Sequence, residues 1–402
     1  MTKSLFKAPI DLKKHSSLLY AEGVFGLGAR KKYSMRPKTA DGILRYAEYA
    51  IVGVVDSGSY EKTAGEVLPV YLHGVSPRLR RTETPIFHTL KEAKAKTDGT
   101  VLILGSAPEG GELPEEWRAD IRWAIKNRMH IVSGLHFLLG EDPEFQKVAK
   151  KYRVILWDVR KTSSQDHVPV GSSKAYFIKK PIVLTVGTDA AIGKMTVAYE
   201  MHRAAKELGA KSCLIPTGQT AIMIEGWGVS IDALPADFMA GAVEMMIREK
   251  AKNHDILFVE GQGSLFHPAY ANTTIALLHG AVPSHMVLVH KPSRKHSIGS
   301  RLIVLPDFKK AISHYENSVL PEFRKAKVAG IAFNFDGFPK ERITSYMKEV
   351  GAGCRLPVFD ALEDKKVIHQ LVRNILDGKK KKKTCAYCRY LWRYHGAFGS
   401  AV

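Results

Sequence analysis

Short apolar runs rich in β-branched residues recur along this chain, each closed by a glycine or polar turn and most followed by a segment of helical periodicity. Residues 50–56 and 100–105 predict buried strands, with a short helix over 41–49 ahead of the first. Residues 117–128 carry the spacing of an amphipathic helix, 130–133 of a short strand, and 153–160 of a last strand before a break. The pattern resumes with strands at 181–187, 211–215, 254–260, 286–290 and 328–334, and helices at 197–208 and 238–250. Strands that alternate with helices build parallel sheets. The expected fold class is therefore α/β, with an N-terminal Rossmann-like parallel-sheet domain and a C-terminal P-loop NTPase-like α/β domain. Residues 161–173, rich in Ser and holding Lys161 and Pro169, are the natural linker. The expected divisions are 1–173, 174–377 and a basic tail, 378–402, expected to be disordered.

The turn after residues 181–187 carries the strongest chemical signal. Gly187, Thr188 and Asp189 lead through Ala190, Ala191 and Ile192 to Gly193, Lys194, Met195 and Thr196, and then into a helix. A strand that delivers a glycine loop to a helix N-terminus is the layout of a phosphate-binding loop. Lys194 would reach the β/γ-phosphates and a hydroxyl just after it would meet Mg²⁺. The spacing departs from the usual pattern, with five residues between the glycines and Met195 where a Ser or Thr is expected. Thr196 is one position late, roughly 100° around the helix.

Other predicted strand ends add polar groups, and ligands of open α/β sheets bind outside the carboxyl ends of strands. Glu260, Gly261, Gln262 and Gly263 close one strand, and a carboxylate there is a Mg²⁺ partner in P-loop folds. Asn334 closes another, as a reader of a purine edge or as a turn residue. Thr217, Gln219 and Thr220 follow a third, as a carboxylate or phosphate site or as an ordinary turn. His290 ends a fourth. Arg294 beyond it is either a bidentate clamp for a substrate carboxylate or a solvated cation. Asp237 caps the helix at 238–250 or acts in catalysis. His267 is a general base or a buried histidine bonded to backbone. The glycine loop at 105–111 reads as a substrate-side loop or a plain βα turn.

Gly187-Thr-Asp189, Gly193-Lys194, Glu260-Gly-Gln-Gly263 and Asn334 together resemble the dethiobiotin synthetase branch of P-loop enzymes. A closer resemblance is to a P-loop family formerly known only as a domain of unknown function and associated with D-glutamate N-acetyltransferase activity. Gly193-Lys-Met-Thr196, Thr217-Gly-Gln-Thr220, Asp237-Phe, Glu260-Gly-Gln-Gly-Ser264, His267-Pro-Ala-Tyr270 and His290-Lys-Pro-Ser-Arg294 carry it. It spans nearly all of residues 40–375, and Lys-Met-Thr is an ordinary variant there. The resemblance implies acetyl-CoA as donor and the amine of D-glutamate or a related acidic amino acid as acceptor. It would give His267 or Asp237 the proton, Lys194 and the loop the diphosphate, and Arg294 the acceptor, with Gln262 and Tyr270 nearby. The dethiobiotin synthetase branch implies instead an ATP-dependent ligase or kinase with Mg²⁺ on Thr196 and Glu260. A nucleotide-binding regulator is a third class.

Composition narrows the ligand more than the fold. Sixty Lys and Arg against forty Asp and Glu give a formal charge of +20, which favours anionic small molecules. Part of the excess is the lysine run 379–383, and no nucleic-acid module is recognisable. The chain has no apolar run of membrane-spanning length and no apolar signal core, so a cytoplasmic enzyme is expected. Cys213 and Cys354 read as reduced thiols, whereas Cys385 and Cys388 with His395 fall short of the four ligands of a structural zinc site. A homo-oligomer with a composite site is compatible with all of this.

Overall fold

In a computed structural model of the chain, the described residues are 6–23, 25, 38–68, 81–106, 112–161, 168–320 and 324–378. They form two parallel sheets of six strands each. The first holds β1 (Ser16–Tyr20), β2 (Ala50–Val55), β3 (Ile86–Phe87), β4 (Val101–Leu104), β5 (His130–Ser133) and β6 (Leu156–Asp158) in the order β3-β2-β1-β4-β5-β6. That is the strand order of a Rossmann sheet. Leu18, Leu19, Val101, Leu102 and Ile103 are fully buried, as expected for strands covered on both faces.

The second sheet holds β7 (Ile182–Gly187), β8 (Ser212–Ile215), β9 (Ile256–Val259), β10 (His285–His290), β11 (Lys327–Phe333) and β12 (Val358–Asp360). Its order is β12-β11-β10-β7-β9-β8. The loop-bearing strand β7 is thus central, between β9 and β10, and all its residues are buried. Both α/β domains of the expected class are present. Most of the expected glycine loop, 107–111, lies outside the described residues, as do 162–167 of the linker and the lysine run and Cys385, Cys388 and His395 of the tail. Cys213 and Cys354 are free thiols. Among the described residues no helix is long and apolar enough to cross a membrane.

The two sheets turn their carboxyl ends towards one another. Gly134, just past β5, packs against Gln219 and Met223, which follow the end of β8. Arg160, past β6, donates from Nε to the Gly134 carbonyl and from Nη1 to Asp232 at 2.6 Å. Helix Lys38–Tyr46, which follows β1, lies on helix Lys194–Glu207 and helix Gln219–Glu225. Ile43 and Leu44 share one core with Val197, Met201, Ile222 and Met223. Tyr46 stacks on Tyr199 at 4.4 Å and donates to Glu200 at 2.9 Å. Burial of each large aliphatic side chain contributes about 1.5–3 kcal/mol, so the joint is a packed core and not a polar contact.

Candidate functional site

Gly187 ends β7 and the loop begins there. Thr188 donates its backbone N–H to Val289 of β10 at 3.1 Å, and its hydroxyl meets His290 Nδ1 at 2.8 Å. Burial pushes His290 down to about 4, so its ring is neutral at physiological pH and serves to hold Thr188. The loop turns sharply at Ala191 (φ 52°) and Gly193 (φ 108°). Gly193 adopts a left-handed conformation that L side chains rarely take, which accounts for glycine there. Helix Lys194–Glu207 starts at the next residue.

Lys194 is buried, and its Nζ donates to the Asp189 carbonyl at 2.8 Å across the loop. Burial brings its pKa down to about 7. Asp189 and Glu260 oppose the shift, while the charges of Arg294 and Lys38 add to it. A cation desolvated in this way gains strongly from an arriving anion.

Asp189 is completely buried and gathers a surface loop onto the phosphate-binding loop. Its carboxylate accepts from Arg294 Nη1 (2.8 Å), Ser297 Oγ (3.0 Å) and the Ile298 N–H (2.9 Å). Arg294 Nη1 also donates to the Ala190 carbonyl at 2.7 Å. Removing one partner of a buried pair leaves the other uncompensated. Asp189→Asn is accordingly expected to cost about 2–4 kcal/mol in urea denaturation and to speed proteolysis between 294 and 304. An unchanged denaturation midpoint with unchanged proteolysis would contradict this role.

Glu260 follows β9 and is buried beside the loop. Its Oε2 accepts the backbone N–H groups of Thr217 and Gly218, both at 2.9 Å, and Thr217 Oγ1 donates to its carbonyl at 2.6 Å. Burial raises its pKa to about 7 despite those donors. Lys194 and Glu260 are thus two buried groups beside the loop, both shifted by burial to about 7. Gln262 reaches back to Thr217 Oγ1 at 3.3 Å. Gly261 donates to Thr185 Oγ1 at 2.9 Å in a backbone approach too close for any side chain.

Several residues singled out in the sequence are occupied in ways their types did not disclose. His267 accepts the Ala269 N–H at Nδ1 (3.2 Å), which leaves Nε2 to donate to the Ile298 carbonyl (3.0 Å). Both ring nitrogens are thus engaged with backbone, and the ring stacks on half-exposed Tyr270. Asp237 is exposed in the first turn of helix Ala236–Ala251 and makes no capping hydrogen bond. Asn334 donates to the Ile192 carbonyl at 3.2 Å and accepts the Asp336 N–H at 3.1 Å, so its amide braces the loop. Arg294 likewise holds Asp189 in place of reaching outward. Thr196 is half-buried in the first helical turn.

Met195 faces the first domain. A Cβ on Gly42 would lie 2.8 Å from its Cε, and Thr220 Cγ2 is equally close. The apolar side chain after Lys194 belongs to the domain joint, where a serine or threonine would pack poorly. Gln219 packs on Gly134, and Thr220 Oγ1 meets Thr39 Oγ1 at 3.1 Å. Tyr315 was not found from sequence. Its hydroxyl donates to the Gly187 carbonyl at 2.6 Å and accepts the Leu265 N–H, and no strand-end position marks it.

Comparison with known proteins agrees with this architecture. A family model described as the P-loop domain of a domain of unknown function, DUF1611, matches residues 169–369, and its Rossmann-like N-terminal domain matches 76–162. A protein of Tritonibacter scottomollicae named D-glutamate N-acetyltransferase is 36% identical over 296 residues, 72% of this chain and 84% of the relative. The chain belongs to the DUF1611 family. A second relative of the same name, from a Pseudoalteromonas species, is 34% identical over 67% of this chain and 80% of its own length. The crystal structure of a DUF1611 family protein from Anabaena variabilis is similar with a TM-score of 0.79 at 31% identity. That likeness covers 90% of this chain and 99% of the other.

Proposed function

We propose that this protein transfers the acetyl group of acetyl-CoA to the amine of D-glutamate or a related acidic amino acid, at the phosphate-binding loop. The observation that carries the reading is that Lys194 and Glu260 both lie buried beside a phosphate-binding loop, in a chain 34–36% identical to two proteins named for that reaction. Acetyl-CoA carries a diphosphate, and the N–H groups of the loop with Lys194 suit it. Glu260, oriented by Thr217 and Gly218, takes the proton of the acceptor ammonium, a task suited to a carboxylate near 7. The neutral amine then attacks the thioester carbonyl, the tetrahedral intermediate expels the coenzyme A thiolate, which takes the remaining excess proton from the nitrogen, and N-acetylglutamate is formed. His267 and Asp237 are the less suitable bases, since the first has both nitrogens bound and the second stands exposed at a helix start.

The pH dependence follows from the pair. Glu260 becomes a base as pH rises through about 7, which raises turnover. Lys194 loses its charge as pH rises past about 7, which weakens the anionic donor. A narrow bell in kcat/KM near neutrality is expected. Glu260→Gln should remove the acid limb and lower kcat by about 10²–10⁴-fold, with donor binding altered by only a few fold. A Glu260→Gln enzyme with wild-type kcat and an intact acid limb would exclude the base role. The reaction itself is tested by following coenzyme A thiol release from acetyl-CoA with D-glutamate, L-glutamate or neither; release independent of an amino acid would count against acyl transfer.

A second reading, an ATP-dependent ligase or kinase on a small carboxylate, is favoured by the position of Glu260 beside the loop. In that case Mg²⁺ would be held by the nucleotide's phosphates with the Thr196 hydroxyl and the Glu260 carboxylate, a hard-oxygen donor set that fits the ion. It would supply charge neutralisation at the transferring phosphoryl group.

A further inference from the structure

An acidic acceptor is recognised by its side-chain carboxylate as well as by its amine, and a guanidinium is the group best shaped for that carboxylate. Arg294 is not free for it, since its Nη1 holds Asp189 and the Ala190 carbonyl. The Rossmann-like domain supplies another guanidinium. Arg160 lies just past β6 and is buried. Its Nε donates to the Gly134 carbonyl at 2.8 Å, and its Nη1 donates to Asp232 Oδ2 at 2.6 Å with Ser230 Oγ at 3.5 Å. Five N–H donors make up a guanidinium. These contacts leave Nη2 with no protein acceptor among the described residues. Asp232 balances the charge of Arg160, but it occupies one nitrogen and, with Gly134, fixes the plane of the fork.

Two chains of contacts run from Arg160 to Glu260. Ser230 precedes Ile231, whose N–H donates to the Thr217 carbonyl at 3.0 Å, and the Thr217 N–H donates to Glu260 Oε2 at 2.9 Å. On the other side, a Cβ on Gly134 would lie 3.0 Å from Gln219 Cγ. Gln219 directly follows Gly218, the second N–H donor to Glu260. The Gln219 side chain is half-buried. Arg160, Gln219 and Glu260 follow β6, β8 and β9, so they gather where the carboxyl ends of the two sheets meet, which is where open α/β sheets bind ligands.

We propose that Arg160, through Nη2 and with the Gln219 amide beside it, binds the side-chain carboxylate of the acidic acceptor. The Rossmann-like domain thereby selects the amino acid whose amine Glu260 deprotonates. The inference rests on the acetyl-transfer reading for the identity of the acceptor, whereas the carboxylate contact can be measured without turnover.

D-glutamate and its neutral counterpart D-glutamine would be compared on the full chain for wild type, Arg160→Gln, Arg160→Lys and Asp232→Asn. Coenzyme A release gives the kinetics, and isothermal titration calorimetry gives the binding of each amino acid. Arg160→Gln is expected to raise KM and Kd for D-glutamate about tenfold or more, with D-glutamine, kcat and the KM of acetyl-CoA changed by only a few fold. Arg160→Lys keeps the charge without the fork and should fall between; it decides the matter if melts show Arg160→Gln unfolded. Asp232→Asn breaks the same ion pair but leaves the guanidinium, so the preference for glutamate over glutamine should survive. Equal losses on both amino acids, or the same loss of preference in Asp232→Asn, would make Arg160 a strut of the domain joint and overturn the proposal. An unchanged preference in folded Arg160→Gln would overturn it as well. Coenzyme A release from no mixture would sink the acetyl-transfer reading; calorimetry of D-glutamate on wild type and Arg160→Gln would still decide the carboxylate contact, and wild type that binds no D-glutamate would refute it.

Discussion

Lys194→Met is expected to lower kcat/KM by about a hundredfold or more and to abolish measurable binding of a diphosphate ligand. The argument starts from cost. A lysine amine is poorly tolerated in a buried site, and burial is the main cause that brings this one down to about 7. Among the described residues its amine has one protein acceptor, the Asp189 carbonyl. An arriving phosphate restores the charge, so binding should take up protons near pH 8 and weaken as pH rises. Methionine keeps the length and apolar stem but supplies neither charge nor donor. The same substitution removes the desolvated cation from the folded state. Lys194 has a folded pKa below its unfolded value, so it favours folding increasingly as pH rises from about 7 towards the ordinary lysine range. Lys194→Met should therefore flatten the stability profile over that window while it destroys function. Calorimetry in buffers of different ionisation enthalpy, alongside melts from pH 7 to 10, checks both halves. Undiminished binding with no change in proton uptake would remove Lys194 from the site.

Gly261→Ala is expected to be strongly destabilising. Gly261 passes β7 so closely that a Cβ would lie 1.7 Å from the Thr185 carbonyl oxygen and 3.1 Å from Lys194 Cδ. Both obstacles matter, because the first is strand backbone and cannot rotate away. Relief requires β7 and β9 to part at the point where Thr185 accepts the Gly261 N–H. A cost of about 4 kcal/mol or more is expected, roughly 10 °C in a domain of this size. Any protein that still folds should have Glu260 turned away from Thr217 and Gly218, with turnover lost. A melting temperature within about 2 °C of wild type would mean that the strands are not packed this way.

The sequence discloses the strands that are hydrophobic throughout because parallel strands covered on both faces must be. Hence β2, β4, β7, β9, β10 and β11 stand out, and the glycine loop after β7 with them. β1 does not, although it is central in its sheet: Ser16-Ser17-Leu18-Leu19-Tyr20 begins with two serines, and Ser17 is buried all the same. Gln219 and Thr220, read as a ligand site or an ordinary turn, instead open helix Gln219–Glu225, which Gly226 ends with a left-handed φ of 69°. The helix read at 41–49 begins three residues earlier, at Lys38, where Gly105 and Thr220 hold its first turn.

The site was legible to the same depth. Residue type marks Lys194 and Glu260 because a loop between a strand and a helix constrains what each can do. It does not mark how His267, Asn334 and Arg294 spend their hydrogen bonds, since their partners Ile298, Ile192 and Asp189 lie 31, 142 and 105 residues away. Nor does it explain Met195, whose reason is Gly42 in the other domain. Each of these assignments depends on contacts between distant segments, which no local pattern encodes.

The most direct test of the central claim is mass spectrometry of products from full-length protein given D-glutamate and acetyl-CoA, in parallel with D-glutamate, ATP and Mg²⁺. The account predicts N-acetylglutamate in the first mixture, none in the second, and none from Lys194→Met in either. ADP formed only when the acidic amino acid is present, with no acetylated product, would contradict it and make the loop the site of an ATP-dependent ligase or kinase.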